Sequence, residues 1–335
     1  MEVYVSISTA ILLSFFVSVV ISPLIIKITK KIKFNQPVYE YVEQHSKKSG
    51  TPTMGGLIFL FSFLLPFFIL LKGNHTMANV ILVITMGFGI IGFADDFLKI
   101  KFKHNEGLKP YQKILGQLIV AIIVAVFAYN SKFIMGETFI PFTLKSINMG
   151  IWYIPFVIIF FLAITNSVNL TDGLDGLAGG VTLVYLICFI VILLIMIKKQ
   201  NMDYITANEY TNIIIFVGIC IGGMLGYLLY NSHPATIFMG DTGSLALGGL
   251  LGSMAVCTKT ILFVPFLGVM FVLSSVSVIL QVLHYKRTKK RIFLMAPFHH
   301  HLEKKSMYET KIVVIYMVIT AVMGISCILL TLFLT

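Results

Sequence analysis

Aspartate is scarce in this chain, and its six copies are not scattered. Asp95 and Asp96 are adjacent in "GFADDFLKI", Asp172 and Asp175 stand three apart in "NSVNLTDGLDGLAGG", and Asp241 lies in "IFMGDTGS". Only Asp203 stands away from such a motif. A hard cation takes oxygen ligands and keeps several waters, so Asp241, between Gly240 and a Thr-Gly-Ser run, is a candidate Mg²⁺ ligand. Adjacent residues on a helix point about 100° apart, so Asp95 and Asp96 do not form one clamp. The expected division is one carboxylate facing a site and the other orienting it. At the C-terminal end of an apolar helix both would oppose the macrodipole, which argues for use. A solvated helix end balanced by Lys99 is the plainer account. If Asp172 and Asp175 occupy the first turn of a helix, they are neighbours on it. Gly173 and Gly176 would then let the backbone approach a ligand, and the free N–H groups would meet an anion. An Asx-rich turn with N-capping aspartates explains the same spacing.

Three further stretches hold reactive or recognition types. In "YNSHPATIFMGDTGSLALGG", Phe238 could stack on a base or anchor at a membrane interface. "HSKKSGTPTMGG" mixes lysines with Gly-Thr-Pro-Thr, a plausible anion-facing loop that reads equally as an ordinary helix entry. "APFHHHLEKK" carries His299, His300 and His301. Adjacent side chains diverge, so three consecutive histidines make a poor zinc site, and an internal run is no terminal tag. With "YKRTKKR" nearby, the segment is strongly basic and suits anionic lipid heads or phosphates. Basic and acidic walls of this kind make electrostatic sense with a metal and a polyphosphate between them.

The elements that must position these groups follow from composition. Apolar residues make up 58% of the 335-residue chain and charged residues 12%, with a mean hydropathy of +0.94. A soluble fold could not hide that much apolar surface, so the chain reads as an all-α polytopic membrane protein, 1–335 forming one integral domain. Apolar runs predict ten spans: 4–26, 54–71, 77–95, 114–130, 149–167, 177–197, 212–230, 243–258, 261–283 and 312–334. The eighth is short and glycine-rich. The N-terminus lacks a basic region and cleavage site and is expected to be a retained span. Of 25 basic residues, 19 fall on one set of loops and six on the other. The richer side should be cytoplasmic, which places both termini outside and five of the six aspartates at the cytoplasmic face. The formal charge of +11 then reflects basic loops beside anionic lipid, with no nucleic-acid partner expected. Cys188, Cys220, Cys257 and Cys327 lack a CxxC spacing and are expected to be buried free thiols.

Taken together, "GTPTMGG", "ADDFLKI", "NLTDGLDGLA", "IFMGDTGS" and "APFHHHLE" occur in the order seen in the phospho-N-acetylmuramoyl-pentapeptide-transferases. The chain resembles that family, the MraY branch of the polyprenyl-phosphate N-acetylhexosamine-1-phosphate transferases, from about Lys48 to Glu303. The resemblance implies transfer of phospho-MurNAc-pentapeptide from UDP-MurNAc-pentapeptide to undecaprenyl phosphate. The products would be lipid I and UMP, the first membrane step of peptidoglycan synthesis, in a bacterial cytoplasmic membrane. It implies Mg²⁺ on Asp241, Asp95 as the base or positioner of the lipid phosphate, and Asp96 in support. By the same resemblance Asp175, Asn169 and Phe238 would hold the uridine, with Lys48 and Thr53 nearby. Asn231, Lys113, His299 and His300 would line the diphosphate region, with Asp172 in the acidic wall and His301 mattering least. A homodimer is implied by resemblance alone. The competing readings are a GlcNAc-1-phosphate transferase acting on UDP-GlcNAc and, from another class, an ion-coupled transporter.

Overall fold

The computed structural model describes residues 2–31, 50–102, 107–143, 145–200 and 202–334. Its order is α1 (Glu2–Lys31), α2 (Gly56–Leu70), α3 (Thr76–Phe102), α4 (Pro110–Asn130), β1 (Glu137–Phe139), β2 (Ser146–Asn148), α5 (Tyr153–Thr171), α6 (Leu177–Lys199), α7 (Tyr204–Asn231), α8 (Gly240–Cys257), α9 (Val264–Leu267), α10 (Val269–Thr288), α11 (Phe298–Lys304) and α12 (Glu309–Leu334). Among the described residues, eight helices are long and apolar enough to cross a membrane. The chain is therefore a multi-pass helical membrane protein. The 15-residue α2 and the glycine- and serine-rich α8 are not among the eight.

The weak signal of α8 has a physical cause. Every residue from Thr242 to Cys257 is buried, because α3 and α5 pack along it and α2 touches it. A helix clad in protein needs small residues for close approach, not lipid-facing bulk. Gly92 of α3 demonstrates the closeness: a Cβ there would stand 2.0 Å from the Asp241 carbonyl oxygen.

Three expectations need correction. The third apolar run does not end at Asp95; α3 continues to Phe102, so both aspartates lie inside the helix and the macrodipole argument fails. The run 261–283 is no single helix, being a 3-10 turn (Ile261–Phe263), α9 and then α10 after a break at Gly268. Asp172 caps the C-terminus of α5 and α6 begins only at Leu177, so Asp172 and Asp175 occupy the turn between helices and not a first helical turn. The four cysteines are buried and free.

The helices alternate in direction, and this sorts the polar groups. The C-terminal halves of α3, α5 and α7 and the N-termini of α6, α8 and α12 come together at one end, where α11 also lies. At the other end, Asp203 caps α7 through the Ile205 and Thr206 N–H groups. There too Glu209 accepts the Thr76 and Met77 N–H groups that open α3. The antiparallel pair β1–β2, in register Glu137↔Asn148 and Phe139↔Ser146, is also at that end, held by the Lys259–Glu137 ion pair at 2.9 Å.

Candidate active site

The N-terminus of α8 presents unsatisfied N–H groups, and Asp96 meets them. Its Oδ1 accepts the Asp241 N–H at 3.1 Å, and its Oδ2 accepts the Thr242 N–H at 2.9 Å and the Thr242 hydroxyl at 2.7 Å. A carboxylate at this position is favoured by the helix dipole. Gly240, just before Asp241, has φ 73°, and a Cβ would stand 2.5 Å from Asp96 Oδ2. Only glycine makes this entry to α8 without strain. Asp96 thus orients the first turn of α8, and Asp95 is turned to Lys99 and the Leu108 N–H.

Around Asp241 the charges interleave. Lys99, one turn beyond Asp95 on α3, places Nζ 2.6 Å from Asp95 Oδ2 and 2.8 Å from Asp241 Oδ2. From α4, Lys113 Nζ lies 3.1 Å from Asp241 Oδ2, and from α5 Asn169 Nδ2 donates to Asp241 Oδ1 at 2.6 Å. Asn169 Nδ2 also meets Ser244 Oγ at 2.8 Å. Asp95 Oδ1 accepts the Leu108 N–H at 2.9 Å. Carboxylate oxygens of Asp95, Asp96 and Asp241 lie within 4.8 Å of one another. This all-oxygen donor set fits a hard divalent cation, and Lys99 already places a positive charge among the carboxylates. Asp95 and Asp96 are almost wholly buried, so the negative charge there is bearable only because it is paired or hydrogen-bonded.

A second cluster lies in the α5–α6 turn. Asp175 Oδ2 lies 3.0 Å from His233 Nδ1 and accepts the Ala235 N–H at 3.2 Å. The Asp175 N–H donates to Glu309 Oε1 at 2.7 Å, and Glu309 Oε2 lies 3.2 Å from His233 Nδ1. Asn231 Oδ1 accepts the Gly176 N–H at 3.1 Å, and its Nδ2 donates to Ile237 O at 2.9 Å. Asp172, in the same turn, is pushed well above the usual carboxylate range by burial and by the charges of Asp241, Asp96 and Asp175.

Two more segments complete the walls. The Phe238 N–H donates to Pro52 O and the Gly55 N–H to Phe238 O, both at 2.8 Å. This fixes Thr53 beside half-buried Phe238, and the buried Thr53 hydroxyl has no hydrogen-bond partner among the described residues. Lys48 lies outside the described residues. His299 is fully buried in α11, with neither ring nitrogen hydrogen-bonded among the described residues, and its Nε2 is pressed so near Gly173 that a Cβ there would stand 2.2 Å away. Burial pushes the His299 imidazole down to about 3, so it is neutral at pH 7. His300 Nδ1 pairs with Glu303 Oε2 at 2.5 Å. His301 accepts the Leu294 N–H at 3.1 Å and lies against Phe293 and Phe298, which makes it a brace for the preceding loop.

The family model for glycosyl transferase family 4 matches residues 78–259, more than half the chain. Signature 1 of the phospho-N-acetylmuramoyl-pentapeptide-transferases matches residues 48–60. The phospho-N-acetylmuramoyl-pentapeptide-transferase of Clostridium novyi (strain NT) is 45% identical over 94% of this chain and 93% of its own length. The chain belongs to the phospho-N-acetylmuramoyl-pentapeptide-transferase family. Proteins of the same name from Clostridium perfringens (strain 13 / Type A) and Clostridioides difficile (strain 630) are 44% and 42% identical. They match over 93% of this chain and 95% and 94% of their own lengths.

Membership of this family makes the chain a phosphotransferase and gives the clustered acids their context. Sequence reasoning treated Lys99 only as a counter-charge, although its i+4 spacing from Asp95 signals the pair. Ser244, three residues after Asp241, escaped notice, as did His233 and Glu309. Nothing local marks the last two, because their partners are distant in sequence: His233 stands 58 positions from Asp175, and Glu309 stands 134 from it.

Proposed function

We propose that this protein transfers phospho-MurNAc-pentapeptide from UDP-MurNAc-pentapeptide to undecaprenyl phosphate, releasing UMP and forming lipid I. Family membership over nearly the whole chain carries the reading, and the carboxylate–ammonium cluster on α3, α4 and α8 supports it chemically. In the reaction a lipid phosphate oxygen forms a bond to the phosphorus next to the sugar. The diphosphate P–O bond breaks, and the electron pair leaves on UMP. Positioning and charge neutralisation are the protein's main contributions to such a transfer.

Each residue then has a task. Asp95 accepts or orients the proton of the lipid phosphate, since its carboxylate is the one on α3 not committed to capping α8. Asp96 fixes the turn that carries Asp241. Lys113 and Lys99 supply positive charge for the diphosphate, and Asn169 holds Asp241 in register with α5. Asp241, with Asp95 beside it, would hold Mg²⁺, which when bound neutralises the diphosphate and the departing UMP. Asp175, Phe238, Thr53 and Lys48 belong to the nucleoside end. Asp172, Asn231, His299, His300 and His301 belong to the wall facing the diphosphate, with His301 acting through the loop it braces. A phosphate anion is already a nucleophile, so we favour its direct attack over a phospho-Asp95 intermediate. The whole chain acts as one integral domain of ten spans in the bacterial cytoplasmic membrane. Both termini are outside, the site is at the cytoplasmic face, and the protein works as a homodimer.

The decisive experiment measures UMP release by purified protein with UDP-MurNAc-pentapeptide, undecaprenyl phosphate and Mg²⁺. Turnover of UDP-GlcNAc alone would end the proposal. Chelation should stop release and Mg²⁺ restore it, whereas Asp241→Ala should stay inactive with excess metal. A stable phospho-enzyme trapped from UDP-MurNAc-pentapeptide alone would replace direct attack with a two-step route.

A further inference from the structure

Glu309 has no task in the chemistry above, yet it sits where three segments meet. It is the first residue of α12. Its Oε1 accepts the Asp175 N–H at 2.7 Å, and its Oε2 reaches His233 Nδ1 at 3.2 Å. The same His233 nitrogen lies 3.0 Å from Asp175 Oδ2, which also accepts the Ala235 N–H. One glutamate therefore ties the α5–α6 turn, the α7–α8 segment and α12 into a closed ring of contacts. Its side chain is 12% exposed and that of Asp175 only 3%, so the bond between them forms largely out of water, whereas that of His233 is 38% exposed. Charge-assisted bonds to a backbone N–H are strong and directional in such a setting.

The ring constrains Asp175 at both ends of its residue. Its N–H is fixed by Glu309 and its carboxylate by His233 and Ala235, which sets both the backbone turn and the side-chain direction. Gly176, next in the turn, is held by Asn231 through a separate bond. Without Glu309, His233 would keep the carboxylate of Asp175 among the described residues, and the Asp175 N–H would lose its bond to α12. The carboxylates of Asp95, Asp96 and Asp241 use none of these bonds.

We propose that Glu309 is a positioning residue for the nucleotide-sugar side of the site, holding Asp175 and His233 in the arrangement that recognises the soluble substrate. This rests on the transferase reading above. Glu309 acts through Asp175 and touches neither the lipid phosphate nor the transferred phosphorus. The effect of its loss should therefore fall on one substrate only.

The test uses the full-length protein in detergent and measures kcat and both KM values for wild type, Glu309→Ala, Glu309→Gln and His233→Ala. Loss of the charge-assisted bond to the Asp175 N–H, together with the contact to His233, predicts that Glu309→Ala raises KM for UDP-MurNAc-pentapeptide about tenfold. KM for undecaprenyl phosphate and kcat should stay within about twofold of wild type. Glu309→Gln keeps an acceptor for the Asp175 N–H and should recover most of the loss, with His233→Ala intermediate. An unmoved nucleotide-sugar KM, or an equal rise in both KM values, would overturn the inference. If Glu309→Ala does not fold, Glu309→Gln and His233→Ala carry the test, and wild-type KM values in both would refute it. A wild-type protein that releases no UMP refutes the transferase reading itself, whereas active wild type with indifferent variants refutes only the role of Glu309.

Discussion

Asp96 and His299 are both buried, and burial makes their contributions measurable in different ways. Asp96 uses both oxygens as acceptors for the entry of α8. Asp96→Asn keeps the shape but turns an NH₂ group toward N–H donors, so Asp241 must shift. A displacement of about 1 Å in a catalytic group can cost on the order of 100-fold. We expect UMP release to fall by about that factor, with a lower thermal unfolding midpoint. Undiminished turnover would remove Asp96 from its orienting role. His299 predicts a pH effect. Its imidazole is held down to about 3 from an ordinary 6.5, mainly by burial, then by His300. Between those values the unfolded chain binds a proton that the folded chain refuses, so stability falls as pH drops through that window. Above pH 6.5 the contribution of His299 is flat. Thermal midpoints of wild type and His299→Gln, compared between pH 7.5 and 5, should differ in slope, the variant being less sensitive to acid.

At the scale of elements, the contact between α3 and α8 governs the site, because Asp95, Asp96 and Asp241 meet across it. Gly92→Ala would drive a methyl into the Asp241 backbone, where no flexible side chain can yield. Such overpacking costs about 1–3 kcal/mol and should separate the carboxylates, so activity should be lost more completely than stability. Gly87→Ala, on the same helix, meets only Val120 methyls at 3.6 Å and beyond and should be tolerated. If both variants were equally active, the close approach would not matter to the site. Much of this element-level order was legible in the sequence. The ten apolar runs fall on nine uninterrupted helices and one run interrupted at Gly268 among the described residues, and eight of the helices on these runs are long and apolar enough to cross a membrane. The break escaped because periodicity in a continuously apolar run carries no boundary signal. α8 read weakly because its partners are helices and not lipid. The aspartates themselves were legible as scarce charges in apolar surroundings. Lys99 was visible but undervalued, and Glu309 was hidden, since its meaning arises only when α12 folds back beside the α5–α6 turn.

For the whole molecule, sidedness links the charge distribution to the reaction. The clustered carboxylates, the turn at Asp175 and α11 share one end, and the β1–β2 pair and Lys259 share the other. The basic residues are biased 19 to six toward the loops at the aspartate end, so the positive-inside rule predicts that this end faces the cytoplasm. A nucleotide sugar is a cytoplasmic metabolite, and a lipid phosphate presents its head group at the membrane surface. In the proposed reaction, only this orientation would let the two meet over Asp241. Cysteine labelling tests it cleanly, because all four native thiols are buried. Lys72 and Arg291 are exposed and lie on opposite sides by the charge argument. In spheroplasts an impermeant maleimide should label Lys72→Cys readily and Arg291→Cys only after permeabilisation. Inverted vesicles should reverse the order. If Arg291→Cys were instead labelled from outside intact cells, the aspartate cluster would face away from its soluble substrate, and the proposed reaction would have no compartment in which to run.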